Sequence, residues 1–129
     1  MTAKDKEELI QYRLRKAEET INEVEILFKN ELWNTAINRM YYACYYAVIA
    51  LLLKNNIKTT THAGARQMLA LHFIKTGTID KDLGKFYSNI FDMRQNADYA
   101  DFIDFTKADV LELIKPAKAL ILNVQKLIV

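Results

Sequence analysis

Between residues 33 and 52 the chain carries two apolar rows side by side. Trp33, Ile37, Met40, Cys44, Ala47 and Leu51 recur at steps of three and four, and Tyr41, Tyr45, Val48 and Leu52 run beside them. A helix that is apolar over so wide an arc cannot face water on most of its circumference. It must be a centre that other segments cover. The covering segments carry the same period. Ile10, Leu14, Ala17, Ile21, Val24 and Phe28 alternate four and three apart, which predicts a helix from about Lys4 to Lys29 that breaks at Asn30 and Glu31. The central helix is expected from about Leu32 to Lys54, ended by Asn55-Asn56, with Thr59 to Thr61 as loop.

Three further helices follow. One spans about Ala63 to Lys75, with Ala65, Leu69, His72 and Phe73 inward, and stops at Thr76-Gly77. Another starts after Asp80, a plausible N-cap, and runs to about Asn96 with Leu83, Phe86, Ile90, Met93 and Ala97 inward. Tyr99 to Phe105 reads as loop. The last starts near Thr106, where Thr106 and Asp109 have capping-box-like spacing. It continues through Val110, Ile114, Ala117, Ile121, Val124 and Ile128. Pro116 lies inside it and should kink it by removing the bond to the Glu112 carbonyl.

Only three Gly and one Pro occur in 129 residues, too few turn formers for an all-β or loop-rich fold. The expectation is therefore all-α: one domain over residues 1–129, four long helices plus a shorter one, in an up-and-down bundle. Cys44 is the sole cysteine, which excludes an internal disulfide and fits a reducing compartment. The segment MTAKDKEELI has no apolar signal core, and the apolar runs are broken by Lys, Asn or Arg short of a membrane span. A cytoplasmic protein with no membrane partner is expected.

The chemical inventory is short. Two His ten residues apart, with no Cys pair, do not make a zinc site, so no metal is expected. Glycines at 64, 77 and 84 fit neither dinucleotide nor P-loop fingerprints, so no cofactor is expected either. Ser88 is the only serine.

Polar groups on apolar faces remain. Arg39 precedes Tyr41, Tyr42, Tyr45 and Tyr46 in the densest apolar helix. The tyrosines read either as packing with Arg39 in a salt bridge, or as a surface that stacks bases or forms a dimer interface. Tyr87, Phe91, Arg94 and Asp98 share one helical face, and Tyr99 follows. There, Arg94 and Asp98 form either a structural ion pair or a fork for phosphate. His62 precedes the third helix, where it could cap, ligate or titrate near neutral pH, and Thr61 is a fair N-cap. Residues 54–85 hold six basic side chains against Asp80 and Asp82, which reads either as a solvated helix face or as a local excess that could attract phosphate or an acidic partner.

Four strings together carry a resemblance: Arg39-x-Tyr41-Tyr42-Ala43 with Ala50-Leu51-Leu52 behind it, Thr61-His62-x-Gly64, a Phe73…Gly77 segment, and Arg94-x-x-Ala97-Asp98-Tyr99. In this order the chain resembles small stand-alone members of the HEPN family, from about Glu8 to Ile128. The resemblance implies a homodimeric helical bundle, often working beside a minimal nucleotidyltransferase in a toxin–antitoxin-like module. Active family toxins are metal-independent ribonucleases, with an Arg followed four to six residues on by a His. Arg94 matches that arginine. The following stretch, Ala97-Asp98-Tyr99-Ala100-Asp101, holds no His.

Three functions follow as expectations. The first is a HEPN partner subunit of a nucleotidyltransferase, binding nucleotide or RNA phosphate through Arg94, Asp98, Tyr99, His62 and Arg39. The second is a divergent ribonuclease using Arg94 with His62, provided the fold brings the two within reach. The third is a structural dimer joined through Tyr41, Tyr42, Tyr45 and Tyr46. Tyr99 is also a candidate target for modification by a partner enzyme.

Overall fold

The computed structural model describes residues 1–99 and 103–129; for residues 97–99 the backbone alone is described. The described residues form five α-helices: α1 (Ala3–Lys29), α2 (Trp33–Lys54), α3 (His62–Leu69), α4 (Lys81–Tyr99) and α5 (Lys107–Ile128). No strand occurs among the described residues. The all-α expectation holds, with four long helices and one short.

Local chemistry sets most of the ends. Thr2 and Asp5 form a capping box on α1, and Thr106 and Asp109 form another on α5. Thr61 caps α3 by accepting from the Gly64 amide at 2.9 Å. The Asp80 carboxylate accepts from the Asp82 amide at 2.9 Å as α4 begins. The chain leaves α1 and α2 through left-handed residues, Glu31 (φ 57°) and Asn56 (φ 60°). Asparagine suits that conformation, whereas glutamate pays a steric cost. Glu31→Gly should therefore raise stability by about 0.5–1 kcal/mol, read as a higher denaturant midpoint at unchanged slope.

The wide apolar arc of α2 explains the packing. Of its residues, Ile37, Met40, Tyr41, Cys44, Ala47, Val48 and Leu51 are fully enclosed. The most extensive packing is against α1, followed by α5 and then α4. By length and composition alone α2 could also cross a membrane, but 61% of its most apolar stretch is buried inside the bundle. Asn34, at the start of α2, pins the segment before α5: its amide donates to the Ile103 carbonyl at 2.9 Å and its oxygen accepts from the Phe105 amide at 2.8 Å.

Two expectations need correction. The third helix is not α-helical throughout. After Leu69 it widens into a π-helical turn, Ala70–Ile74, closed by the Lys75 amide donating to the Ala70 carbonyl at 2.8 Å. A π turn advances each residue by a smaller angle than an α turn, so the inward set shifts. Phe73 stays buried, and His72, expected inward, is exposed. Gly84 of α4 packs on this turn. A Cβ there would lie 2.9–3.1 Å from the Ile74 side chain, so glycine permits the approach. Pro116 lies inside α5, as its place in the pattern implies, and the Glu112 carbonyl it leaves without an amide belongs to an exposed residue.

Candidate functional site

The face of α4 carrying Tyr87, Phe91 and Arg94 meets the tyrosine row of α2. Tyr41 lies at the centre. Its ring is 0% exposed, parallel to Tyr87 at 6.0 Å and edge-on to Phe91 at 5.8 Å. The Arg94 guanidinium carbon stands 4.8 Å from the Tyr41 centroid and 5.7 Å from that of Tyr42. A cation over an aromatic face is worth about 2 kcal/mol when desolvated, and Arg94 is only 5% exposed.

His62 arrives from the other side. Thr61 caps α3, which sets His62 at its first position and turns the imidazole onto the tyrosines. His62 Nδ1 lies 2.7 Å from the Tyr41 hydroxyl, and its ring stacks on Tyr45 at 4.1 Å and 20°. Tyr42 stands edge-on to it at 5.6 Å. Arg94 and His62, far apart in sequence, therefore flank the same two rings, Tyr41 and Tyr42.

The electrostatics agree with the geometry. Partial burial, and secondarily the positive charge of Arg94, push the His62 pKa below its ordinary value. His62 is therefore neutral at pH 7. Burial pushes Tyr41 up to about 12, partly offset by Tyr87 and by Arg94. The enclosed Tyr87 hydroxyl falls short of ordinary hydrogen-bond geometry, yet it is close enough to Tyr41 to influence its titration. In the tautomer that carries its proton on Nδ1, His62 donates to the Tyr41 oxygen, and Nε2 keeps the free lone pair.

The other expected residues fall as follows. The Arg39 guanidinium is 3.2 Å from the Glu23 carboxylate and 5.8 Å from the Tyr42 centroid, so it is ion-paired at the edge of the cluster. Tyr41 presents nothing to a partner, which removes it from the expected dimer surface because α4 already covers it. Tyr42, Tyr45 and Tyr46 keep part of their rings exposed. The side chains of Asp98 and Tyr99 lie outside the described residues, and with them the expected Arg94–Asp98 pair. Among the described residues no three His, Cys, Asp or Glu side chains group as metal ligands.

Sequence reasoning missed two cations. The Arg66 guanidinium covers Phe91 at 4.0 Å and pairs with Asp92 at 3.2 Å, bracing α3 against α4. Arg13 on α1 donates to the Ile49 carbonyl at 3.2 Å. Its position three residues after Ile10, at the margin of the apolar stripe, was the available signal.

Comparison with known proteins gives a consistent result. The HEPN domain pattern matches residues 10–127. A UPF0332 protein of Thermotoga maritima is 37% identical over 124 residues, covering 96% of this chain and 94% of that one. Two proteins of Methanocaldococcus jannaschii carry the name "Putative toxin". MJ0605 is 38% identical over 74% of this chain and 72% of its own length, and MJ0142 is 35% identical over 78% and 69%.

Proposed function

The chain belongs to the HEPN family, and from that premise we propose that it is the toxin-type subunit of a two-component module whose Arg94–His62 cluster engages and cleaves RNA. The observation that carries the reading is the convergence of Arg94 and His62 on the Tyr41 ring. The toxin names of two relatives support the module.

The chemistry needs few parts. Neutral His62 takes the proton of a ribose 2′-hydroxyl at Nε2, with Nδ1–H then donating to the Tyr41 oxygen. The freed oxygen attacks the adjacent phosphorus. The bond to the 5′-oxygen breaks, leaving a 2′,3′-cyclic phosphate, and the departing oxygen takes a proton from solvent. Arg94 is nearly enclosed, so it acts through its field, which already reaches His62. The partner we propose is a minimal nucleotidyltransferase, and the assembly a homodimer that uses the partly exposed Tyr42, Tyr45 and Tyr46.

A second reading, binding of RNA or nucleotide phosphate without cleavage, is favoured by one observation: no His follows Arg94 in the stretch Ala97 to Asp101. Single-stranded RNA incubated with the chain in EDTA separates the two. Cleavage is expected, and Arg94→Met, checked for helicity by circular dichroism, should slow it roughly tenfold or more. Bound but intact RNA would select the second reading. Absence of both binding and cleavage would overturn both.

A further inference from the structure

A groove lies beside the cluster, with Tyr45 as the wall between them. The start of α1, the second half of α2 and residues 56–60 bound it, and it encloses about 550 Å³. That volume is in the range of ordinary small-molecule sites. Ile49, Leu53 and Ile57 contribute apolar surface, while Lys6, Arg13 and Lys58 contribute positive charge. No Asp or Glu lines it. Among the described residues none of these three cations is ion-paired.

Two details suggest a binding surface rather than a gap. The half-buried Arg13 guanidinium is held by the Ile49 carbonyl, with burial working against its charge. A desolvated cation without an acidic neighbour gains most from an incoming anion. Lys6 Nζ donates to the Asn56 side-chain oxygen at 2.5 Å, which holds its ammonium across the groove. Tyr45 joins groove and cluster, since its ring lines the one and stacks on His62 in the other.

We propose that this groove carries the flanking nucleotides of a single-stranded RNA whose neighbouring phosphodiester lies at His62, with Lys6, Arg13 and Lys58 on its phosphates. The inference rests on the RNA reading above and adds the path of the strand. Positive charge beside an aromatic wall is the usual combination for single strands.

The test compares a dinucleotide with an RNA of about ten nucleotides, by fluorescence anisotropy at several salt concentrations. The proteins are the parent chain, the Lys6→Gln/Lys58→Gln double variant, and Lys126→Gln, an exposed control on α5. The double variant should bind the longer RNA roughly tenfold more weakly, with a salt slope about 1.4 smaller for two lost phosphate contacts. Its dinucleotide affinity should match that of the parent, and the control should change neither. Equal affinities of parent and double variant for the longer RNA would overturn the groove and leave the Arg94–His62 reading standing. Displacement of the RNA by poly-glutamate at equal charge concentration would overturn it in favour of an acidic protein partner. Failure of the parent to bind either RNA would overturn both readings.

Discussion

His62→Gln protein is expected to keep its fold and to cleave RNA about 10²–10⁴ times more slowly than the parent chain. The imidazole is partly exposed at the first position of α3, so its loss leaves no core cavity. What is lost is a neutral base, held through Nδ1 by Tyr41 and stacked on Tyr45. The pH dependence follows from the direction of the shift. The folded pKa lies below the usual value of about 6.5, so activity should hold down to and somewhat below that pH, then fall as His62 takes up a proton. Stability follows the same sign. The unfolded chain accepts the proton from about pH 6.5 downward while the folded chain resists it. Folding should therefore weaken as pH falls through this window and level off below the folded pKa. Thermal melts at several pH values check this, and His62→Gln should show a smaller acid-side loss. The groups facing the imidazole are Arg94, Tyr41, Tyr42 and Tyr45, with no carboxylate among them, so the change belongs to His62. Cleavage by the variant at the parent rate would exclude His62 from the chemistry.

Leu51→Ala should have the largest effect on stability. Leu51 is wholly enclosed in the central helix, so truncation removes buried surface and leaves a cavity between rigid neighbours. The cost is about 2–5 kcal/mol, against a total stability of about 5–15 kcal/mol for a domain of this kind. The melting temperature should fall by roughly 6–20 °C. Leu122→Ala, at a half-exposed position on α5, should stay within about 0.5 kcal/mol of the parent. Melts of the two variants side by side check the assignment of α2 as the buried centre. Equal stabilities would contradict it.

Much of this architecture was legible in the residues, for a physical reason. Apolar side chains at helical spacing report which face is buried, and the wide arc from Trp33 to Leu52 left α2 no position but the middle. The caps at Thr61, Asp80 and Thr106 were legible too, because short polar side chains before a periodic run satisfy amides the helix cannot. The π turn was not. It spans five residues, too few for its period to stand out. The left-handed Glu31 was hidden because nothing in glutamate favours that conformation. At the site, Arg94 and His62 could each be singled out as a polar group in an unusual place. Their meeting could not, since it depends on Tyr41 as a shared contact reached from two helices. Arg13 drew no notice and Arg66 counted only within the basic excess of residues 54–85, because their burial comes from neighbours distant in sequence.

Tyr41 has a consequence that reaches past the site. Its ring is a core residue, locked between α2 and α4, while its hydroxyl sets the position of His62. The imidazole therefore inherits its orientation from the interior rather than from a mobile loop. A substitution that slides α4 along α2 changes the distance between base and guanidinium without touching either. In the proposed mechanism the tolerance of the Arg94–His62 geometry to mutation is set by the hydrophobic interior.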